Sequence, residues 1–133
     1  MNIYQKWNKN QLIRFKRKWG KEDMANLQWL KLSTDFFDNN KIKLLESEKD
    51  GDTIIRVWIQ LLITAMKCNY QGRLSLTEDK PMTVDEFSKI MGKSRKKITK
   101  CLEKFEELKM IIIEDNFYKI KNWSKYQSAD KLE

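Results

Sequence analysis

Ile98, Cys101, Leu102, Phe105 and Leu108 follow one another at i, i+3, i+4, i+7 and i+10, the repeat of an amphipathic helix. Just upstream, Phe87, Ile90 and Met91 fall on one face of a shorter helical stretch. Thr83 and Glu86 at its start have capping-box spacing, so each can satisfy a free backbone N–H. Gly92, between the two stretches, offers the positive φ that ends a helix, and Ser94 can cap the next one. After Leu108 the period changes. Residues 110–114 and 117–121 read as two strands joined by a tight Asp115-Asn116 turn. Helix, tight turn, helix and hairpin, in that order, predict a helix-turn-helix followed by a wing.

Upstream of Pro81 the pattern is less regular. Between residues 53 and 68, Ile54, Ile55, Val57, Trp58, Ile59, Leu61, Leu62, Ala65 and Met66 cover nearly the whole helical circumference. A helix apolar on all sides is central to a fold or to an oligomer. Residues 39–47 predict a helix with Ile42, Leu44 and Leu45 facing inward. In 27–37, LQWLKLSTDFF, the expectation is a short strand and turn that place Trp29, Leu30, Leu32, Phe36 and Phe37 in the core. Residues 74–76 predict a third strand beside the wing. Residues 1–25 read as a basic amphipathic helix, with Leu12, Phe15 and Trp19 on one side and Arg14, Lys16, Arg17, Lys18 and Lys21 around the rest. Such an arm can pack on the domain, contact phosphates or bind a protein; a membrane surface is the weaker reading. The expected fold class is mostly α with a small β-hairpin or three-stranded sheet: a winged helix-turn-helix with an amino-terminal basic helical extension. The division is an arm at 1–25, a winged-helix domain at 26–127 and a short tail at 128–133.

Composition narrows the chemistry. A chain of 133 residues with 41% hydrophobic residues is long and apolar enough to bury one domain core. The longest apolar run, 54–66, is broken by Arg56 and Gln60 and falls short of the roughly 18 residues that span a bilayer. The amino terminus lacks the pattern of a signal peptide, so a cytoplasmic protein with no membrane partner is expected. Cys68 and Cys101 sit on predicted helices without metal-ligand spacing and are expected to be buried free thiols. Histidine is absent, which excludes Ser-His-Asp and Cys-His nucleophilic sites. Asp50 with Asp52 and Glu78 with Asp79 flank predicted helices or turns, as caps and solvated turn residues do. Gly51 and Gly72 are isolated turn glycines, not a phosphate loop. No enzyme, catalytic residue, metal or cofactor is expected.

The net charge of +8 is unevenly spread. Residues 1–25 carry seven basic and two acidic groups, 26–92 nine and ten, and 93–133 eleven and seven. Two basic ends around a neutral middle are the footprint of a polyanion binder. The bland alternative is compositional: lysine outnumbers arginine 22 to 5, as suits an A+T-rich genome, and makes many surfaces basic. The segment 93–100, KSRKKITK, has five positive charges and no negative one at the start of the second helix. In a helix-turn-helix that end enters the major groove. The DNA-contact candidates there are Lys93, Ser94, Arg95, Lys96, Lys97, Thr99 and Lys100. Arg95 suits a bidentate guanine contact, whereas the lysines suit phosphates. Lys119, Lys121 and Lys125 lie along the wing and beyond it, and Arg14, Lys16, Arg17 and Lys18 lie on the arm. Glu114 and Asp115 make the wing tip acidic, so a wing contact with DNA would run along its flank.

The stretches WLKLSTDFF (29–37), KIKLLESEKDGDTIIRVWIQLL (41–62), NYQGRLSLTEDKPMT (69–83), LEKFEELKMIII (102–113) and NWSKYQ (122–127) resemble, in order, the amino-terminal domain of phage replisome organiser proteins. That domain is in turn similar to the first domain of DnaD-like primosomal helicase-loading factors. The resemblance implies origin DNA binding in replication initiation, with self-association as the alternative use of such a domain. A separate carboxy-terminal region would recruit the helicase or its loader. This chain stops soon after NWSKYQ, so either a fragment is expected or a stand-alone protein that serves as a regulator or as an antagonist of a host nucleic-acid machine. The partners expected are duplex DNA, with A+T-rich repeats as the suspected site, a homodimer, and a host replication or defence protein.

Overall fold

The computed structural model describes residues 29–127. Within them the order is a 3₁₀ turn at Phe36–Asp38, α1 (Asn40–Glu46), α2 (Gly51–Cys68), α3 (Val84–Met91), α4 (Arg95–Glu107), β1 (Ile111–Glu114), β2 (Phe117–Ile120) and a 3₁₀ turn at Trp123–Tyr126. Among the described residues the chain is thus mostly helical, with one two-stranded antiparallel sheet. This order is consistent with a winged-helix-like fold. The proposed arm at 1–25 and the tail at 128–133 lie outside the described residues.

α2 is the centre of the core. Ile54, Val57, Trp58, Leu61, Leu62 and Ala65 are all buried, and burying each large apolar side chain contributes about 1.5–3 kcal/mol. The helix keeps a polar strip at Asp52, Arg56 and Lys67, where Ile63 is also exposed. Its apolar circumference is therefore consumed inside the domain. α1 packs on it through Ile42 and Leu45, while Leu44, expected to face inward, is 56% exposed. Ile42 and Leu45 are three residues apart and share a face; Leu44 is a third of a turn away. Asn39 caps α1, its Oδ1 accepting from the Lys41 N–H at 2.8 Å.

α3 and α4 obey their local signals. Thr83 and Glu86 form the capping box, Gly92 ends α3 at φ 65, and Ser94 Oγ accepts from the Lys97 N–H at 3.1 Å. Phe87 and Met91 are buried, but Ile90, expected beside them, is 54% exposed. Ile98, Cys101, Leu102 and Phe105 seat α4 on the core, with Leu108 half-buried. α4 then ends in a Schellman motif: Met110 N–H donates to Phe105 C=O and Lys109 N–H to Glu106 C=O, with Lys109 at φ 60. Cys68 and Cys101 are both buried.

The hairpin pairs Ile111 with Ile120 and Glu114 with Phe117 across Asp115 and Asn116, both at positive φ. That is the signature of a type I′ turn. Residues 74–76 do not form the expected third strand. The chain meets β2 through one bridge, Arg73 with Lys119, and two hydrogen bonds, Ile120 N–H to Gly72 C=O and Leu74 N–H to Tyr118 C=O. It then turns away, because Leu76 and Met82 use their N–H groups to close the 74–82 loop.

The other departure is at 29–37. Trp29, Leu32 and Phe37 are 67%, 39% and 56% exposed, and only Leu30 and Phe36 pack partly against the core. The strand expected there reduces to one backbone bond, Lys31 N–H to Tyr126 C=O at 2.7 Å. With so little pairing to the rest of the described residues, the segment keeps these three side chains at the surface.

Gly72 and Gly92 both need left-handed backbone, at φ 89 and φ 65, but their surroundings differ. A Cβ at Gly72 would lie 2.8 Å from Trp123 Cγ, whereas a Cβ at Gly92 would meet nothing within 4 Å. Gly92→Ala is therefore expected to cost about 1 kcal/mol from backbone conformation alone. Gly72→Ala adds a clash with a buried ring and is expected to cost about 2–4 kcal/mol. Urea midpoints of the two variants check the ranking, and equal losses would refute it.

Candidate nucleic-acid interface

The turn between α3 and α4 is tied from both sides. Gly92 and Lys93 N–H both donate to Ser88 C=O, and the Ser88 hydroxyl donates to Lys93 C=O at 2.6 Å. Phe87 meets Tyr118 edge to face at 5.7 Å, which holds α3 against β2. On the far side, Trp58 contacts Phe105 at 5.1 Å and fixes α4 to α2. The start of α4 is therefore a rigid, solvent-facing helix end.

With Ile98, Cys101, Leu102 and Phe105 turned inward, Arg95, Lys96, Thr99 and Lys100 are all exposed. At 3.6 residues per turn these four fall within an arc of about 140°. The first turn has no acidic residue. Positive side chains there oppose the helix dipole, each by about 0.3–1 kcal/mol, so this face gives up some stability for a concentrated positive field. Cys101 lies beneath it, and burial pushes its thiol up, which keeps the sulfur protonated and unreactive.

Three acidic side chains from neighbouring elements lean onto α4. Asp85 of α3 meets Arg95 Nε at 2.8 Å, Asp50 meets Lys97 at 3.4 Å, and Glu48 meets Lys104 at 2.6 Å. Asp50 sits at the N-cap position of α2 but makes no side-chain cap bond, contrary to expectation. Glu48 is held below the ordinary carboxylate range by its hydrogen bond and charge attraction to Lys104, with a further contribution from Lys100. Exposed pairs of this kind are worth about 0–1 kcal/mol. Lys96, Thr99 and Lys100 have no ion pair or side-chain hydrogen bond among the described residues.

The remaining candidates separate. Lys93 is half-buried in the turn, and Ser94 spends its oxygen on the cap. Lys119 lies half-buried in β2 beside Arg73, whose guanidinium rests 4.2 Å over the Phe117 ring and donates to Ser75 Oγ and Glu78 C=O. Lys121 and Lys125 are at the other end of α4, about 20 Å from its start by helix rise. There they line a cavity of ≈ 670 Å³ together with Lys31, Lys41 and Lys109. The last three were not singled out from the sequence, because no local motif joins positions 31, 41 and 109. Arg14, Lys16, Arg17 and Lys18 lie outside the described residues.

The capping box that seats α3 yields a pH-dependent test. Thr83 N–H and hydroxyl both donate to Glu86 Oε1, at 2.7 and 2.6 Å, and hold the Glu86 carboxyl below its ordinary range. A lowered carboxylate pKa stabilises the fold above the unfolded value, and that stabilisation is lost as pH falls through the folded value. Thr83→Ala is expected to cost about 1 kcal/mol near neutrality and clearly less in acid, once Glu86 is protonated in both proteins. Urea denaturation of both proteins at about pH 6 and about pH 2, the latter well below the ordinary carboxylate range, measures this. An equal cost at both pH values would refute it.

A family model described as the N-terminal phage replisome organiser matches residues 29–133. Comparisons with curated proteins and with solved structures find no match. No helix among the described residues is long and apolar enough to cross a membrane. The match spans most of the chain, including every element from α1 to the last 3₁₀ turn, and the family ties it to phage replication. The chain belongs to the N-terminal phage replisome organiser family.

Proposed function

We propose that this chain is a winged-helix DNA binder that engages duplex DNA through the amino-terminal end of α4, and that this contact serves origin binding in phage replication. The observation that carries the reading is the acid-free basic block at 93–100 on an exposed, capped helix start. An α-helix fits a major groove about 12 Å wide, and the four outward residues would meet it first. Lys96 and Lys100 would neutralise phosphates. Arg95 would read a guanine: Asp85 holds its Nε, which leaves the two terminal nitrogens for O6 and N7. The hairpin would approach along its Lys119 flank, since Glu114 and Asp115 at the tip repel phosphate.

A second reading, a protein-interaction module, is favoured by the exposed Trp29, Leu32, Phe37 and Leu44. It predicts a mass in solution that rises with concentration.

Fluorescence anisotropy with an A+T-rich repeat duplex and a scrambled duplex, across a salt series, tests the DNA reading. Lys96→Ala and Lys100→Ala are expected to weaken both duplexes equally, each lowering the salt slope by about 1. Arg95→Ala is expected to lose about 1–3 kcal/mol of discrimination between them. Asp85→Asn should move the two quantities in opposite directions: tighter binding to any duplex, because a negative charge is gone, and poorer discrimination, because Arg95 is no longer held. Wild-type behaviour in all four variants would overturn the assignment.

A further inference from the structure

The cavity at the carboxy-terminal end of α4 is a separate feature from the DNA-reading face. Among the described residues, its rim carries Lys31, Lys41, Lys109, Lys121 and Lys125 against one carboxylate, Asp35. That carboxylate already accepts a hydrogen bond from the Ser33 hydroxyl. The floor is apolar: Phe36, Ile42, Met110 and Tyr126. Lys41, Lys109 and Lys121 have no ion-pair partner among the described residues, and Lys125 rests 5.3 Å over the Tyr126 ring. The five lysines come from three distant parts of the chain, which the Lys31 to Tyr126 and Lys121 to Met110 backbone bonds draw together. At Lys109 the backbone is left-handed, a conformation where glycine is favoured, yet the residue that occupies it adds an amine to the rim.

Clustered amines around an apolar floor complement a ligand with several negative charges and one flat, weakly polar face. The ≈ 670 Å³ volume lies within the usual small-ligand range of about 300–1,000 Å³. A duplex, whose major groove alone is about 12 Å wide, cannot enter it. We propose that this cavity is a nucleotide-binding site, in which the lysines take the phosphates and the base lies against Phe36 and Tyr126. The nucleotide is either a free nucleoside triphosphate or one unit of a single strand. The proposal does not depend on the duplex reading, because the sites are at opposite ends of α4.

The test is calorimetric titration of the full chain at low salt with ATP, tetrathymidylate and a glutamate-rich peptide. Two double variants accompany the wild type: Lys109→Gly with Lys121→Gln, and Lys96→Ala with Lys100→Ala. The wild type is expected to bind at least one of ATP and tetrathymidylate. The 109/121 variant should bind it about tenfold more weakly, because two phosphate-facing charges are gone. The 96/100 variant should differ little, since its substitutions lie at the other end of α4. Because glycine suits the backbone at 109, the 109/121 variant should melt no lower than the wild type, which separates a lost site from a lost fold. Binding of ATP alone identifies a free nucleotide as the ligand, and binding of tetrathymidylate alone identifies a strand. The proposal is overturned if neither binds, if only the peptide binds, or if the 109/121 variant binds as the wild type does. Loss of duplex affinity in the 96/100 variant is a separate result that bears only on the face at the start of α4.

Discussion

The contact of Trp58 with Phe105 holds this domain together. Trp58 lies in the middle of α2 and Phe105 near the end of α4, with ring centroids 5.1 Å apart, and Tyr126 meets the same indole at 6.3 Å. Through these rings the central helix, the basic helix and the chain after the hairpin share one cluster. Aromatic pairs of this kind contribute about 0.5–1.5 kcal/mol beyond the area they bury. The indole Nε1 has no hydrogen-bond partner among the described residues, at a desolvation cost of about 1–3 kcal/mol. The apolar area that Trp58 and Phe105 bury, added to these ring contacts, offsets that cost, and α4 is seated on α2 through them.

Once α4 is seated in this way, its two ends become two electrostatic sites. The amino-terminal end collects Arg95, Lys96 and Lys100 on a convex helix surface; the other end faces a concavity edged by five lysines. Convex and concave basic surfaces favour different anions: the first suits an extended groove, the second a compact group that can be surrounded. Acidic side chains act mainly at the first. Asp85 and Asp50 thin its field, whereas among the described residues Asp35 alone lines the second.

Much of α3, α4 and the hairpin was legible in the sequence, because their signals span three or four residues. The Thr83–Glu86 box, Gly92, the Ser94 cap and the Asp115-Asn116 turn are local devices whose geometry does not depend on distant chain. Hydrophobicity misled where the backbone gives a segment little anchorage. Trp29 and Phe37 are as apolar as Trp58, but among the described residues their segment pairs with the chain after the hairpin through one backbone bond and stays at the surface. Leu44 and Ile90 failed for a narrower reason: each sits on the edge of an apolar stripe, where a rotation of one residue decides between core and solvent. The strand expected at 74–76 was lost to hydrogen bonds within its own loop. The lysine cavity was invisible because proximity in space, not spacing in sequence, creates it. Charge summed by segment had even assigned Lys31 and Lys41 to the neutral middle of the chain.

The pair between Arg95 and Asp85 has a thermodynamic consequence for recognition. A free arginine on a helix surface samples many rotamers, and immobilising such a side chain on binding costs about 0.5–1.5 kcal/mol. Here Asp85, on a helix fixed by its own capping box, already restricts that motion in the unbound molecule. Part of the ordering cost is thus met during folding, and the rigidity of one small turn becomes available to whatever the arginine contacts.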